Sequence, residues 1–219
     1  MVKGGRAVRR PRRRVEIVAD LVCVHGYLGF TRFLRAARRY RDGGGEVVTV
    51  FRPYQLRPDA SAAGEPLFEE HKRDRGEAFA RAVAADTSIG AADGLELNFG
   101  RAVFTNTFDA HLLLSRASAQ GKGERMAERL FRAYFTDGLH IADAETLRRL
   151  AGEVGVAMGD PGDPGALGDE RGRERLRAEL DRVRRLGLPS VPAFRFEDGP
   201  VLVGEDAASE ERFHAALEG

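Results

Sequence analysis

The chain has 219 residues, 42% of them hydrophobic and 32% charged, which is typical of a globular protein that buries its own core. No apolar run approaches the roughly 18 residues that a transmembrane helix needs, so we expect no membrane partner. The single cysteine, Cys23, excludes an internal disulfide and a cysteine-rich zinc site. Five scattered histidines show no paired spacing, so we predict no metal site.

The formal net charge of +1 hides an asymmetry between the start of the chain and the rest. Residues 1–14 contain seven Lys or Arg residues and no acidic residue, whereas the remaining 28 basic residues face 34 acidic ones. We expect residues 1–14 to form a disordered basic arm, and the acidic remainder disfavours nucleic acid as a partner. No apolar segment typical of a secretory signal follows the arginines, which predicts a cytoplasmic protein.

The first predicted elements form a β-α-β unit. Residues 15–19 alternate between apolar and polar side chains and are rich in β-branched residues, which predicts a strand. Apolar residues recur at helical spacing from 28 to about 40, and a second β-branched run covers 46–51. Two strands joined by a helix are expected to pair in parallel, with a right-handed crossover.

A helical insertion and a β-β-α unit are predicted for the rest of the chain. Residues 52–61 contain two prolines and should form a loop, whereas residues 63–186 are mostly helical, with a turn region at 159–165. The clearest helices cover 108–120, 125–136, 144–154 and 170–186, and they precede strands at 193–196 and 201–203 and a helix at 208–217. Residues 15–62 and 187–219 would then form one α/β domain, because the segment between them is too long for a loop.

Cys23 lies where the first strand ends and the first helix begins. Unpaired backbone N–H groups and the helix dipole stabilise an anion at such a position, so we expect a lowered pKa of the thiol. His25, two residues later, can add positive charge or carry a proton. The alternative is that Cys23 is a small buried hydrophobic residue.

Pro192 stands just before the third predicted strand. Its bond to Val191 is either cis, as a small fraction of X–Pro bonds are in folded proteins, or an ordinary trans bond in a turn. The sequence of this segment alone favours the trans form.

Five segments contain the most distinctive motifs of the chain: Asp20-Leu21-Val22-Cys23-Val24-His25-Gly26-Tyr27-Leu28-Gly29, Phe51-Arg52-Pro53-Tyr54-Gln55-Leu56-Arg57-Pro58, Asn106-Thr107-Phe108-Asp109-Ala110-His111-Leu112, Phe131-Arg132-Ala133-Tyr134-Phe135-Thr136-Asp137-Gly138-Leu139-His140-Ile141-Ala142-Asp143 and Ser190-Val191-Pro192-Ala193-Phe194. Together with the order of elements, these motifs resemble the FrnE-like branch of the DsbA-type thioredoxin-fold family. The resemblance extends from about residue 15 to the C-terminus.

The resemblance implies an α/β, thioredoxin-like fold (β-α-β … β-β-α) with a large all-helical insertion. It also implies a cis Pro192 that lies opposite Cys23, so that Val191 and Pro192 line the site where a thiol compound or peptide pairs with the backbone. The segment around His111 is expected to serve packing.

Gly26 occupies the position at which the family has its second active-site cysteine. A dithiol enzyme resolves its mixed disulfide with that second thiol, and this chain has no other cysteine to replace it. We therefore predict a monothiol enzyme with Cys23 as nucleophile and His25 tuning it. The resolving thiol would be a small molecule such as glutathione or mycothiol, with no tightly bound cofactor.

Two other functions stay open. The related kappa-class glutathione transferases and hydroxychromene-carboxylate isomerases lack the cysteine pair, which suggests a tailoring enzyme for a small aromatic molecule, for example a quinone-like polyketide. A pocket for it would be lined by Gly26, Pro53, Tyr54, Phe104 and Phe108. The last alternative is a non-catalytic binding protein. Family members often form homodimers, which makes a second copy a further candidate partner.

Overall fold

A computed structural model describes residues 10–159, 169–204 and 206–219 of the chain. In chain order the strands and helices are β1 (Arg12–Ala19), α1 (Val24–Asp42), β2 (Glu46–Pro53), β3 (Glu65–Pro66), α2 (Leu67–Arg75), α3 (Glu77–Ala85), β4 (Val103–Phe104), α4 (Phe108–Ala119), α5 (Gly123–Phe135), α6 (Ala144–Val154), α7 (Glu170–Arg184), β5 (Ala193–Phe196), β6 (Val201–Val203) and α8 (Glu210–Glu218). The predicted α/β class and the order β-α-β, helices, β-β-α are confirmed.

The central sheet has the strand order β2-β1-β5-β6. Strand β1 pairs in parallel with β2, as expected for strands joined by a crossover helix, and antiparallel with β5. Strand β5 then pairs antiparallel with β6. Because Val15 and Ile17 point to one face of β1 and are buried there, the alternating pattern of this strand fixes which face meets the core.

Helices α1 and α8 cover one face of the sheet. Helix α1 buries an aromatic stripe that includes Phe30 and Phe33. The Phe33 ring lies 5.5 Å from that of Phe194 on β5, and Phe194 lies 4.6 Å from Phe213 on α8. These edge and tilted ring contacts join both halves of the α/β domain across the insertion.

Strand β1 starts at Arg12, inside the segment that we expected to be a disordered arm. Arg12 pairs with Glu46 of β2 in the ladder, and the two side chains form an ion pair at 3.1 Å. Arg13 donates from Nε to the Leu217 carbonyl at 2.9 Å. The expectation is therefore wrong for residues 10–14, because β2 and α8 supply partners for these arginines. The first nine residues lie outside the described part.

The insertion contains α2 to α7, and the four helices predicted with the clearest patterns correspond to α4, α5, α6 and α7. It is not all-helical, however, because β3 and β4 form a two-residue antiparallel pair. Most of the predicted turn region at 159–165 lies outside the described residues. In the described ranges, no helix has the length and apolarity needed to cross a membrane.

Strand β2 and helix α1 are longer than predicted. Strand β2 continues to Pro53, so the expected loop at 52–61 starts two residues later, after a proline at the end of the strand. Helix α1 begins at Val24, directly after Cys23, rather than near residue 28.

Two helical glycines allow a direct test of this packing. A methyl group at Gly29 would lie 2.8 Å from the Ala207 carbonyl oxygen and 3.2 Å from the Phe194 ring, whereas one at Gly152 on α6 would meet nothing within 4 Å. We expect Gly29→Ala to lower the free energy of unfolding by about 1–3 kcal/mol through overpacking. Gly152→Ala should raise it by up to about 1 kcal/mol. Urea unfolding measures both, and an equal effect of the two substitutions would contradict the packing of α1.

Candidate active site

Cys23 occupies the N-cap position of α1, immediately beyond the carboxyl end of β1. Its backbone N–H donates to the Asp20 carbonyl at 3.1 Å, which closes the turn between strand and helix. The backbone of Cys23 is extended (φ −91°, ψ 113°), and its carbonyl accepts the first helical bond, from Tyr27 at 3.1 Å. Only 8% of Cys23 is exposed to solvent.

The electrostatics of this thiol differ from our expectation. Burial raises the pKa of Cys23; hydrogen bonds from the backbone of Gly26 and His25 lower it, and the negative charge of Asp20 raises it further. The expected lowering of the pKa is therefore wrong in sign. The helix N-terminus does favour the thiolate, as predicted, but the loss of hydration outweighs that effect.

Gly26 and His25 lie on different sides of the first turn of α1. Gly26 is buried, and a methyl group added to it would lie 3.4 Å from Cys23 Cβ and 3.3 Å from the Asp20 carbonyl oxygen. Gly26, where the resemblance implies a second cysteine, is therefore adjacent to Cys23. His25 is exposed, so its proposed role as a proton carrier stays a prediction.

The strand register brings three predicted segments to the edge of the sheet where Cys23 lies. Ala19 at the end of β1 is opposite Pro53 of β2, and Val18 is opposite Ala193 at the start of β5. The Val191–Pro192 peptide bond is cis, and it immediately precedes β5.

Tyr54 and Val191 both pack against the small buried cluster of Val18, Val183 and Ala193 at this edge. Pro192 is buried and Val191 is half-buried. Of the predicted site residues, Gly26 is adjacent to Cys23, and Pro53, Tyr54, Val191 and Pro192 lie at or next to strand ends at this edge of the sheet.

Phe104 and Phe108 pack within the insertion instead. Phe104 on β4 belongs to the main core, with the Arg57 guanidinium 5.2 Å from its ring. Phe108 on α4 packs against the buried cluster of Leu112, Leu176 and Leu180. Sequence patterns identified both as aromatic residues of the insertion but could not distinguish core from pocket.

An open cleft of about 500 Å³ lies between β2, α4 and α7. Its walls combine apolar and charged side chains, which include Phe51, Leu112, Leu114, Leu176, Arg52, Arg116, Arg175, Asp169 and Glu179. Among the predicted pocket residues only Pro53 lines this cleft. The cleft lies between the α/β domain and the helical insertion.

Two buried polar residues near Cys23 were not among our candidate site residues. Asp20 is 1% exposed, and its Oδ2 accepts the Leu56 N–H at 2.7 Å. His111 is 3% exposed, and its Nε2 lies 2.9 Å from the Tyr54 carbonyl oxygen and 3.6 Å from Asp20 Oδ1. The sequence did contain a feature that could have identified Asp20: a carboxylate directly after a buried strand, three residues before the cysteine. In the described part of the chain, no three His, Cys, Asp or Glu side chains group as metal ligands would.

Comparison with known proteins agrees with this architecture. The profile of the DsbA-like thioredoxin domain family matches residues 14–218. The crystal structure of a probable DsbA oxidoreductase from Streptomyces coelicolor is 27% identical, with a TM-score of 0.74 over 94% of this chain and 88% of that one. The cytosolic disulfide reductase DsbM of Pseudomonas aeruginosa shares the fold at 23% identity, with a TM-score of 0.58 over 94% of this chain and 97% of its own.

Two further proteins are similar to this chain. A 2-hydroxychromene-2-carboxylate isomerase shares the fold at 14% identity, with a TM-score of 0.60 over 88% of this chain and 89% of that one. The uncharacterized protein YwbO of Bacillus subtilis (strain 168) is 26% identical over 143 residues, which are 65% of this chain and 66% of YwbO. That match therefore covers slightly less than two thirds of YwbO.

The pKa of Cys23 can be measured directly, because the chain has no other thiol. We expect the rate of alkylation by iodoacetamide to rise with a midpoint above about 8.5, the value of a free cysteine. The same protein unfolded in guanidinium chloride should show the ordinary midpoint. Intact mass confirms a single adduct, and a midpoint below that of the unfolded chain would contradict the effect of burial.

The same shift predicts a pH dependence of stability. Because the folded-state pKa is raised, the thiol favours the folded state below the unfolded pKa of about 8.5 and loses that contribution as pH rises through the folded value. As pH rises from neutral to above about 8.5, the free energy of unfolding of the wild-type protein should fall more than that of Cys23→Ser. Urea titrations at each pH measure both. An equal loss in both proteins would contradict the raised pKa.

Proposed function

We propose that this chain, which belongs to the family of DsbA-like thioredoxin domains, is a monothiol enzyme that catalyses thiol–disulfide exchange through Cys23. The family includes oxidoreductases and isomerases. The observation that carries the proposal is the position of the single cysteine at the N-cap of α1, with Gly26 beside it in place of a second thiol.

The reaction has two exchange steps. The Cys23 thiolate attacks one sulfur of a disulfide R–S–S–R′, a bond forms between Cys23 and R–S, and R′–S⁻ leaves and takes up a proton. A small-molecule thiol R″–SH, as its thiolate, then attacks the mixed disulfide, so that R–S–S–R″ is released and Cys23 regains its proton. In the net reaction R′–S is reduced to the thiol R′–SH, and the small thiol is oxidised into the disulfide R–S–S–R″.

A tripeptide or sugar-linked thiol such as glutathione or mycothiol suits this second step, because it needs less room than a protein thiol to reach a mixed disulfide at Cys23, a residue of which only 8% is exposed. The Pseudomonas DsbM protein has also been solved with GSH. At 23% identity that likeness concerns the fold, and the small thiol remains part of our proposal for this chain. We place the reaction in the cytoplasm, where such thiols are abundant and reduced.

A second candidate function is a kappa-transferase-like or isomerase-like reaction on a small aromatic molecule. The cleft of about 500 Å³ between β2, α4 and α7 favours it, since this volume suits a small ligand. The walls that Phe51 and Leu114 provide are apolar, and Arg52 and Arg116 provide positive charge. An electrophilic, quinone-like polyketide is one such ligand.

Intact-mass measurements with oxidised glutathione test the monothiol proposal. We expect wild-type protein to form one glutathione adduct that reduced glutathione removes, and Cys23→Ser to form none. Absence of the adduct from the folded wild-type protein would contradict the proposal and would favour the cleft as the functional site.

Gly26→Cys supplies the missing thiol. A methyl group at Gly26 would lie 3.4 Å from Cys23 Cβ, close to the roughly 3.5–4.5 Å that separates Cβ atoms in disulfides. We expect the variant to resolve its own glutathione adduct by forming a disulfide between Cys23 and the introduced thiol. Gly26→Ser, which has nearly the same size, should keep the adduct as the wild-type protein does. Persistence of the adduct in Gly26→Cys would contradict the placement of Gly26.

A further inference from the structure

The cleft between β2, α4 and α7 is a concave surface that the proposed exchange reaction does not use. Its volume is about 500 Å³, and Cys23, Val191 and Pro192 do not line it. A volume of this size suits a small organic ligand. The chemistry of its walls indicates which class of ligand fits.

The apolar part of the wall comes from all three elements. Strand β2 contributes Phe51, and the two helices contribute Leu112, Leu114 and Leu176. Helices α4 and α7 approach each other at Gly172, where a methyl group would lie 3.5 Å from Leu112 Cδ1. An apolar ligand body placed against these side chains would leave water, which favours binding.

The two acidic residues of the wall already have partners. Glu179 accepts hydrogen bonds from Arg52 at 2.9 Å and from Arg182 at 2.8 Å. Asp169 is the N-cap of α7, and its Oδ1 accepts the Arg171 N–H at 3.2 Å. The negative charges in the cleft are therefore either paired with arginine or engaged by the start of a helix.

Arg116 on α4 and Arg175 on α7 differ from them, because among the described residues neither forms an ion pair with an acidic side chain. Arg116 Nε donates to the Ala157 carbonyl at 2.6 Å, and Gln120 holds that same carbonyl at 2.9 Å. This contact fixes the guanidinium group and leaves its two terminal nitrogens as donors. Arg175 Nη2 lies 3.8 Å from the position that a methyl group on Gly172 would take, where α4 and α7 meet.

We propose that this cleft is a second binding site, separate from Cys23, for a small alkyl carboxylate. The carboxylate accepts charge-assisted hydrogen bonds from Arg116 and Arg175, and its alkyl chain lies against the leucine side chains and Phe51. Three arginines and two acidic residues line the cleft, which leaves one positive charge in excess and suits a ligand with a single negative charge. This site goes beyond the proposed thiol–disulfide exchange and does not depend on it.

Isothermal titration calorimetry with octanoate and with octanamide, its uncharged analogue, tests the site. We expect octanoate to bind at least about tenfold more tightly, because only the carboxylate makes charge-assisted hydrogen bonds with the arginines. Arg116→Gln and Arg175→Gln should each weaken octanoate binding about five- to tenfold and leave octanamide binding unchanged.

Two further substitutions make the expected charge effect specific to the cleft. Asp169→Asn should strengthen octanoate binding several-fold, because it removes a negative charge from the wall and asparagine still caps α7. Arg185→Gln removes the same charge as Arg175→Gln from the exposed C-cap of the same helix, and it should leave the affinity unchanged. Equal affinities for the two probes, or equal effects of Arg185→Gln and Arg175→Gln, would overturn the inference.

A variant that fills the cleft locates the ligand. Ser115 is an exposed residue of α4 that lines the cleft, so Ser115→Trp should abolish the binding of octanoate without disturbing the core. Circular dichroism checks that the variant is folded. Octanoate binding that persists in folded Ser115→Trp would overturn the inference.

The separation from Cys23 is tested with the same probe. Cys23→Ser should bind octanoate as the wild-type protein does, and wild-type protein saturated with octanoate should still form its glutathione adduct. If octanoate prevents the adduct, the cleft is part of the Cys23 site and the proposal of a separate site is overturned. If no adduct forms even without octanoate, while octanoate binding follows the variants as expected, the exchange reaction fails and the carboxylate site stands.

Discussion

Two opposing physical effects set the pKa of the Cys23 thiol, and the chemistry of the candidate site depends on their balance. The first turn of α1 directs backbone N–H groups at the sulfur, which favours the anion, whereas burial and the charge of Asp20 favour the neutral thiol. The raised pKa means that burial dominates in the protein without a substrate.

The fold produces this arrangement through the register of one strand. Because β1 lies between β2 and β5, its last residues bring Pro53, Pro192 and the start of α1 to one edge of the sheet. The insertion reaches the same edge through His111 on α4, whose contact with the Tyr54 carbonyl fixes the loop that follows β2. Both parts of the chain therefore position the groups around Cys23.

The amino-acid sequence was sufficient to predict the α/β class, the β-α-β and β-β-α units and the four clearest helices, because these depend on local periodicity. It was insufficient where residues distant in the chain determine the structure. The arginines at 12–14 have the composition of a disordered tail, and only the fold shows that Glu46 and Leu217 lie beside them. Strands β3 and β4 have two residues each, which is too short for an alternating pattern that would predict a strand. Phe104 and Phe108 could not be assigned to core or pocket without the positions of α4 and α7. The direction of the Cys23 pKa shift depends on how deeply the thiol is buried, and only the tertiary structure determines that.

The central claim is that one cysteine and an external thiol replace the usual pair of cysteines. Steady-state reduction of a glutathionylated peptide, with glutathione and peptide concentrations varied independently, tests it most directly. The account predicts ping-pong kinetics, a turnover rate that rises with glutathione concentration, and loss of turnover in Cys23→Ser. Turnover that persists in Cys23→Ser, or no turnover by the folded wild-type protein at any glutathione concentration, would contradict it.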